Sequence, residues 1–260
     1  MLLVVDVGNT QTHFGTFRGE ELVEHWRFAT VRTSTADELG ATLRALMELR
    51  GIGLADLDAS IVASTVPSLE PEWVRMGQRY LAHETLAVGP GLRTGMPIRL
   101  DNPRELGADR LVNAIAAYDL VGGPVISVDF GTAVNYDVVS GKGEYLGGVI
   151  APGVEVSLDA LTTRGAKLPK IDLIAPRHAI GKSSVEAIRS GIVFGYAAQV
   201  DGLLARLQGE LGGERATTIA TGGLAGVIVP HTTSIDQTDD QLTLRGLKLL
   251  HDRQAVAPSA

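Results

Sequence analysis

The strongest constraint on this chain is that it repeats itself. Residues 2–9 read LLVVDVGN and residues 125–132 read VISVDFGT, each an apolar, β-branched run that ends in Asp-x-Gly and a small polar residue. Asp6 and Asp129 hold the same place in the two copies. In the first copy a strand-like segment at 12–17 follows, then the turn Arg18-Gly19-Glu20 and a third strand at 22–28. In the second, the corresponding pieces are 134–139, the turn Ser140-Gly141-Lys142-Gly143, and 145–150. Two copies of a three-stranded meander settle the architecture before any single element does.

Behind each meander the hydrophobic period changes from two to 3.6. Residues 36–49 place Leu39, Leu43, Leu46 and Met47 on one helical face. A buried strand is expected within 56–65, a second helix at 69–82, a strand at 85–88 and a helix at 108–120. The second half offers helices at 154–161 and 183–211, the latter opened by Ser183 with Glu186 three residues on, a capping-box spacing. Strands at 217–221 and 227–229 and a closing helix at 242–253 complete the pattern. The turn cluster Val121-Gly122-Gly123-Pro124 sets the expected boundary, giving an N-terminal half at 1–121, a C-terminal half at 122–254 and a frayed tail at 255–260. The fold class is α/β, two βββαβαβα-type halves.

Composition removes several function classes. A chain of 260 residues that is 45% hydrophobic can bury full cores. With no cysteine it has no disulfide, thiolate zinc site, iron-sulfur cluster or thiol mechanism. A net charge of -7 and 5% aromatic residues argue against nucleic acid as main partner. Asp6 interrupts any signal-peptide core, and no apolar run approaches the roughly 18 to 20 residues of a membrane helix, so a cytoplasmic protein without membrane association is expected.

A buried strand ending in Asp-x-Gly-x-Thr exposes backbone N–H groups at a tight turn, with a hydroxyl beside them as a further donor to a phosphate oxygen. Asp6-Val7-Gly8-Asn9-Thr10 and Asp129-Phe130-Gly131-Thr132 both have this form. Taken singly each is an ordinary β-turn. Duplicated in one context, they suit the β- and γ-phosphates of a nucleotide held in a cleft between the halves. A bare carboxylate beside a triphosphate is repelled, so Asp6 is expected to act through Mg2+, directly or through water. Neither a GxxxxGK[ST] nor a GxGxxG run competes.

Five segments in order, MLLVVDVGNT, DNPRELGADR (101–110), VDFGTA, GGVIAPG (147–153) and ATGGL (220–224), resemble the type III pantothenate kinases from residue 1 to about 253. The resemblance implies a duplicated RNase H-like, actin-like ATPase fold of the acetate and sugar kinase kind. It also implies ATP-dependent phosphorylation of pantothenate at the head of coenzyme A synthesis, with Mg2+ and a monovalent cation, K+ or NH4+, in a cytoplasmic homodimer. By resemblance Asp109 is the general base and Gly107, Ala108, Asp109 and Arg110 form the pantothenate-binding segment, joined by Leu100 and Ser184. Asp6, Val7, Gly8, Asn9, Thr10, Gln11, Thr12 and His13 form the ATP loop. Thr132, Gly222 and Gly223 are further ATP contacts, and Asp129 is the monovalent-cation ligand.

The GADR run makes chemical sense by itself: small residues let backbone approach a ligand at a helix start, a carboxylate accepts the proton of an attacking alcohol, and a guanidinium grips a small acid. A dipole-stabilised Asp beside a surface Arg is the alternative on that segment alone. His13 reads as a phosphate donor or a solvent-facing strand residue, Gly222-Gly223 as a nucleotide contact or a plain turn. Gly191 and Gly195 read as close helix packing, at a dimer interface or within the chain. The chain departs from the family pattern at Leu100, where a Tyr is usual, at Val134 and Asn135, and at Ser184 in place of Thr. The alternatives to a pantothenate kinase are a nucleotide-binding regulatory protein of the same fold and a kinase of another small hydroxy acid.

Overall fold

The computed structural model describes residues 1–164 and 171–255. Its chain forms two compact units.

The first unit is built on β1 (Leu2–Val7), β2 (Gln11–Arg18), β3 (Glu21–Ala29), β4 (Ala59–Ser64) and β5 (Thr85–Ala87), in the order β3-β2-β1-β4-β5. The β1–β2–β3 meander is antiparallel, and β4 and β5 add to it in parallel. Alternation sends Leu3, Val5 and Val7 to one face, where they meet Leu39, Leu43 and Met47 of α1 (Ala36–Glu48) and Trp73 and Met76 of α2 (Glu70–Tyr80). Each such buried side chain contributes roughly 1.5 to 3 kcal/mol before entropy is charged against it. Thr35 and Glu38 close a full capping box on α1, a signal the hydrophobic period does not carry.

The second unit is built on β6 (Val125–Phe130), β7 (Ala133–Val139), β8 (Tyr145–Pro152), β9 (Thr217–Thr221) and β10 (Gln237–Thr238), in the order β10-β9-β6-β7-β8. With β6 in the place of β1, its topology matches the first sheet strand for strand. Ile126, Val128, Phe130, Val134 and Tyr136 pack with Leu158 of α4 (Val154–Arg164) and with Val193, Ala197 and Val200 of α5 (Ser184–Glu210).

Several features differ from the sequence reading, among them the edge strand β10 at Gln237–Thr238, which it did not expect. The 227–229 strand is instead the short helix α6 (Ala225–Ile228) and a 3-10 turn at Val229–His231. The Gly222-Gly223 turn starts i→i+3 bonding, and Ala225 and Ile228, three apart, both bury in the core, so the short apolar run obeys the helical period. The Ser183 hydroxyl does cap α5, but the Glu186 carboxylate takes the Lys182 N–H at 2.8 Å, not that of Ser183, so the box is not reciprocal.

The units also divide differently from a boundary near 121. The closing helix α7 (Leu242–Ala255) belongs with the first unit, burying Leu244, Leu247 and Leu250, and residues 96–101 belong with the second. Finally, α3 (Ala108–Val121) runs from one unit into the other, dividing after Ala116. The expected tail lies, beyond Ala255, outside the described residues. No helix among the described residues is long and apolar enough to cross a membrane.

Candidate active site

Where β1 ends, the Gly8 N–H donates to Gln11 O at 3.0 Å, and a Cβ on Gly8 would stand 2.9 Å from that oxygen, so the turn is closed around a residue without a side chain. Val7 O is held by the backbone N–H and hydroxyl of Thr65 at 2.9 and 3.1 Å, and Thr10 O by Thr30 N at 2.9 Å. Asp6 is partly buried behind this turn, and Asn9, Thr10 and Gln11 are exposed on it.

Thr12 and His13 lie within the strand pairing. Thr12 is buried with its hydroxyl 2.9 Å from that of Thr30. His13 stands opposite Asp6 in register and is buried, so it is not solvent-facing. Its Nε2 is 3.2 Å from His25 Nδ1, and burial, assisted by the charges of Arg27 and His25, holds its pKa down to about 3. His13 is therefore neutral at physiological pH.

The equivalent turn of the second unit is enclosed more tightly. Gly131 N donates to Ala133 O at 3.0 Å. A Cβ on Gly222, whose φ is +95°, would lie 2.5 Å from Asp129 Oδ1 and 2.6 Å from Phe130 N. On another side a Cβ on Gly153 would fall 2.1 Å from Thr132 O. Asp129, Gly131, Thr132, Gly153 and Gly222 thus form one cradle, with Gly223 next in sequence. Tyr196 of α5 supports it from below. Its hydroxyl approaches Pro152 O at 3.0 Å and Gly153 O at 3.1 Å and meets Ser157 Oγ at 2.6 Å. Neither Gly153 nor Tyr196 is assigned a role by the sequence reading. A polar-tipped aromatic within the apolar stretch Ile192–Ala198 is the signal that points to Tyr196.

The 101–110 segment leads into α3. Asn102 Oδ1 caps the 3-10 turn Pro103–Glu105 through Arg104 N, and its Nδ2 donates to Glu105 Oε1 at 2.8 Å. Asp109 then occupies the first turn of α3 with its carboxylate folded back over Gly107, where a Cβ would lie 2.6 Å from Oδ1. Burial holds the Asp109 carboxyl above the ordinary carboxylate range. The Arg110 N–H and charge and its own N–H pull the other way. A partly desolvated carboxylate with a raised pKa is a stronger proton acceptor than a solvated one. Asn113, one turn on, is buried and accepts the Thr243 hydroxyl at 2.7 Å, which ties α3 to α7.

Leu100 lies beside β8, its Cδ2 at 3.6 Å from a Cβ position on Gly147, and Arg99 N is fixed to Tyr145 O at 2.8 Å. Ser184 is exposed at the first position of α5. Cβ positions on Gly191 and Gly195 meet no atom within 4 Å outside their own helix, so in this chain their surfaces are open.

The donor set suits small cations held through few protein carboxylates. Among the described residues no group of three or more His, Asp or Glu gathers to hold a metal ion. Mg2+ that shares substrate phosphates needs one or two carboxylates, such as Asp6 offers. At Asp129 the backbone of Gly222 packs directly against the carboxylate, where a Cβ would stand 2.5 Å from Oδ1.

Two sheets of identical topology, each with an Asp-x-Gly turn at the end of its first strand, define the duplicated actin-like fold found in ATPases and sugar kinases. Solved structures agree with it. A Campylobacter jejuni protein described as a Baf family transcriptional activator superposes with a TM-score of 0.59 at 16% identity, covering 98% of this chain and 100% of its own. Component A of the Acidaminococcus fermentans (R)-2-hydroxyglutaryl-CoA dehydratase does so with 0.57 at 16% identity, covering 98% of each chain. The family model for type III pantothenate kinase matches residues 2–206. The type III pantothenate kinase of Moorella thermoacetica is 50% identical over 253 residues, 97% of this chain and 99% of its own. That of Myxococcus xanthus is 46% identical over 97% and 98%. This chain belongs to the type III pantothenate kinase family, a family of ATP-using enzymes with a small-molecule substrate.

Proposed function

We propose that this chain transfers the terminal phosphoryl group of ATP to the 4'-hydroxyl of pantothenate. The observation that carries the reading is the Gly107–Arg110 turn, whose carboxylate is kept basic by burial at the head of α3, in a chain half identical to pantothenate kinases along nearly its whole length. Asp109 takes the hydroxyl proton as the substrate oxygen attacks the γ-phosphorus. The bond from that phosphorus to the β–γ bridging oxygen breaks, and ADP leaves with the electron pair. Arg110 holds the pantothenate carboxylate, with Leu100, Gly107, Ala108 and Ser184 completing its site.

Asp6 to His13, with Thr132, Gly222 and Gly223, serve the nucleotide. For Thr12 and His13 the service is to fix the strand beneath the turn. Divalent metal supplies charge neutralisation on the phosphates, and Asp6 is the side chain of this chain suited to meet it. Asp129 is the carboxylate that holds a monovalent cation, K+ or NH4+, and rates in purely Na+ buffer should be lower. The protein acts as a cytoplasmic homodimer, apart from nucleic acid and membranes. Leu100 favours one second reading, a substrate hydroxy acid other than pantothenate, because an apolar side chain recognises different surface from an aromatic hydroxyl. ADP release with ATP, Mg2+, K+ and a panel of hydroxy acids and sugars separates the readings. The proposal requires pantothenate to be the preferred acceptor, and ATP binding without release to any acceptor leaves a regulatory protein instead.

A further inference from the structure

The first turn lacks a cation of its own. Between Asp6 and His13 the one basic side chain is His13, which is buried against His25 and carries no charge at neutral pH. Arg32, in the segment between β3 and α1, supplies the charge from outside that stretch. Its Nη2 donates to Asn9 Oδ1 at 3.1 Å, and both residues are exposed. That is the one hydrogen bond the guanidinium makes among the described residues, and it has no ion pair there. By contrast Arg44, Arg50, Arg75 and Arg79 of the same unit are engaged with Glu48, Glu24, Glu72 and Asp37.

The backbone presenting Arg32 is fixed on each side. Thr30 N bonds Thr10 O of the turn itself at 2.9 Å, Ser68 Oγ donates to Arg32 O at 3.2 Å, and the Thr35 capping box begins α1 directly afterwards. A planar guanidinium held by one arm keeps its remaining N–H donors in a fixed fork, the geometry that grips phosphate oxygens in pairs.

We propose that Arg32 is a phosphate-contacting residue of the reaction, tethered by Asn9 so that its open donors meet the terminal phosphoryl group of the bound nucleoside triphosphate. This rests on the reading of the Asp6–Thr10 turn as a nucleotide phosphate turn. Charge would then develop in transfer against a positioned cation, which distinguishes the terminal phosphate from the two that remain in ADP.

The test compares wild type, Arg32→Met, Arg32→Lys and the control Arg44→Met in two measurements: steady-state kinase rates with pantothenate, and equilibrium binding of ATP and of ADP with Mg2+ in the absence of acceptor. Arg32→Met should lower kcat/KM by about 10²- to 10³-fold, the loss expected for one positioned transition-state donor. It should weaken ATP binding about tenfold and leave ADP binding unchanged. Arg32→Lys, which keeps the charge without the fork, should fall between, and Arg44→Met should match wild type. Arg32→Lys also serves if the Met variant fails to fold. An Arg32 variant with native melting and an unaltered rate, or one that weakens ATP and ADP equally, overturns the proposal. A wild type that binds neither nucleotide overturns the underlying reading of the turn instead.

Discussion

Replacing Tyr196 by Phe removes one buried hydroxyl and nothing else, and its consequences should split between stability and nucleotide handling in a defined way. The hydroxyl proton is shared by Pro152 O and Gly153 O, and the oxygen pairs with Ser157 Oγ. A neutral hydrogen bond is worth about 0.5 to 1.5 kcal/mol net, and a buried group left unpaired costs about 1 to 3. Gly153 O keeps the Ser157 N–H at 2.9 Å, so its loss is partial, and the whole change should come to about 1 to 3 kcal/mol. For a chain of this size that is a fall in Tm of about 2 to 10 °C. Because Gly153 backs directly on Thr132, a loosened 152–153 segment should also raise the KM for ATP by about three- to tenfold while leaving that for pantothenate unchanged. Gly153→Ala should show the same split more strongly, since its Cβ must displace the Thr132 carbonyl. Thermal melts with paired KM measurements are the assay. A Tyr196→Phe protein that loses stability as expected but keeps its ATP KM would show that the Asp129–Thr132 turn is positioned without it.

Three other outcomes are expected. Asp109→Asn should keep nucleotide binding and lower turnover about 10²- to 10⁴-fold. The folded-state pKa of Asp109 is raised, so its stabilising contribution is present below the unfolded value and lost as pH rises through the folded one. At neutral pH the variant should therefore melt at or above the wild-type temperature, and a lower Tm would contradict the desolvation argument. His13 has the opposite sign. Its folded pKa of about 3 lies below the ordinary 6.5, so stability is complete above 6.5 and lost as pH falls towards 3, at up to about 1.4 kcal/mol per pH unit. Denaturation of His13→Gln between pH 6 and 4 should show a slope smaller by about one proton, and an unchanged slope would place the titration elsewhere. Leu100→Tyr with Ser184→Thr should lower the KM for pantothenate by about ten- to a hundredfold with little change for ATP, as steady-state kinetics with each substrate varied would reveal; unchanged or weaker pantothenate affinity in a folded double variant would count against Leu100 and Ser184 as substrate contacts.

What was legible in the chain followed from repetition and period. The LLVVDVGN and VISVDFGT runs carried both meanders, and their recurrence carried the matching strand order of the two sheets, because identical local patterns feed identical pairings. The run at 227–229 is ambiguous in sequence since three apolar residues fit either period, and only burial of Ala225 with Ile228 decides it. The placement of α7 with the first unit was not visible, because an amphipathic stripe says that a helix is covered and not by which sheet. At the candidate site, what sequence makes legible is the local turn geometry of contiguous residues, the closed turn at Gly8 and the close approach of Asp109 to Gly107. Arg32 and Tyr196 were not legible, since each reaches its turn from a distant segment through a single side chain. His13 fell between: the sequence left it facing solvent or phosphate, and its pairing with His25 across the sheet removes the first.

The central claim is phosphoryl transfer to the 4'-hydroxyl of pantothenate with Asp109 as the base. Incubating the purified chain with ATP, Mg2+, K+ and pantothenate, and identifying the product by phosphorus NMR and mass spectrometry, tests it most directly. The account predicts 4'-phosphopantothenate in one-to-one ratio with ADP, and loss of that product in Asp109→Asn. ADP formed without a phosphorylated pantothenate, or undiminished product from the folded Asp109→Asn protein, would contradict it.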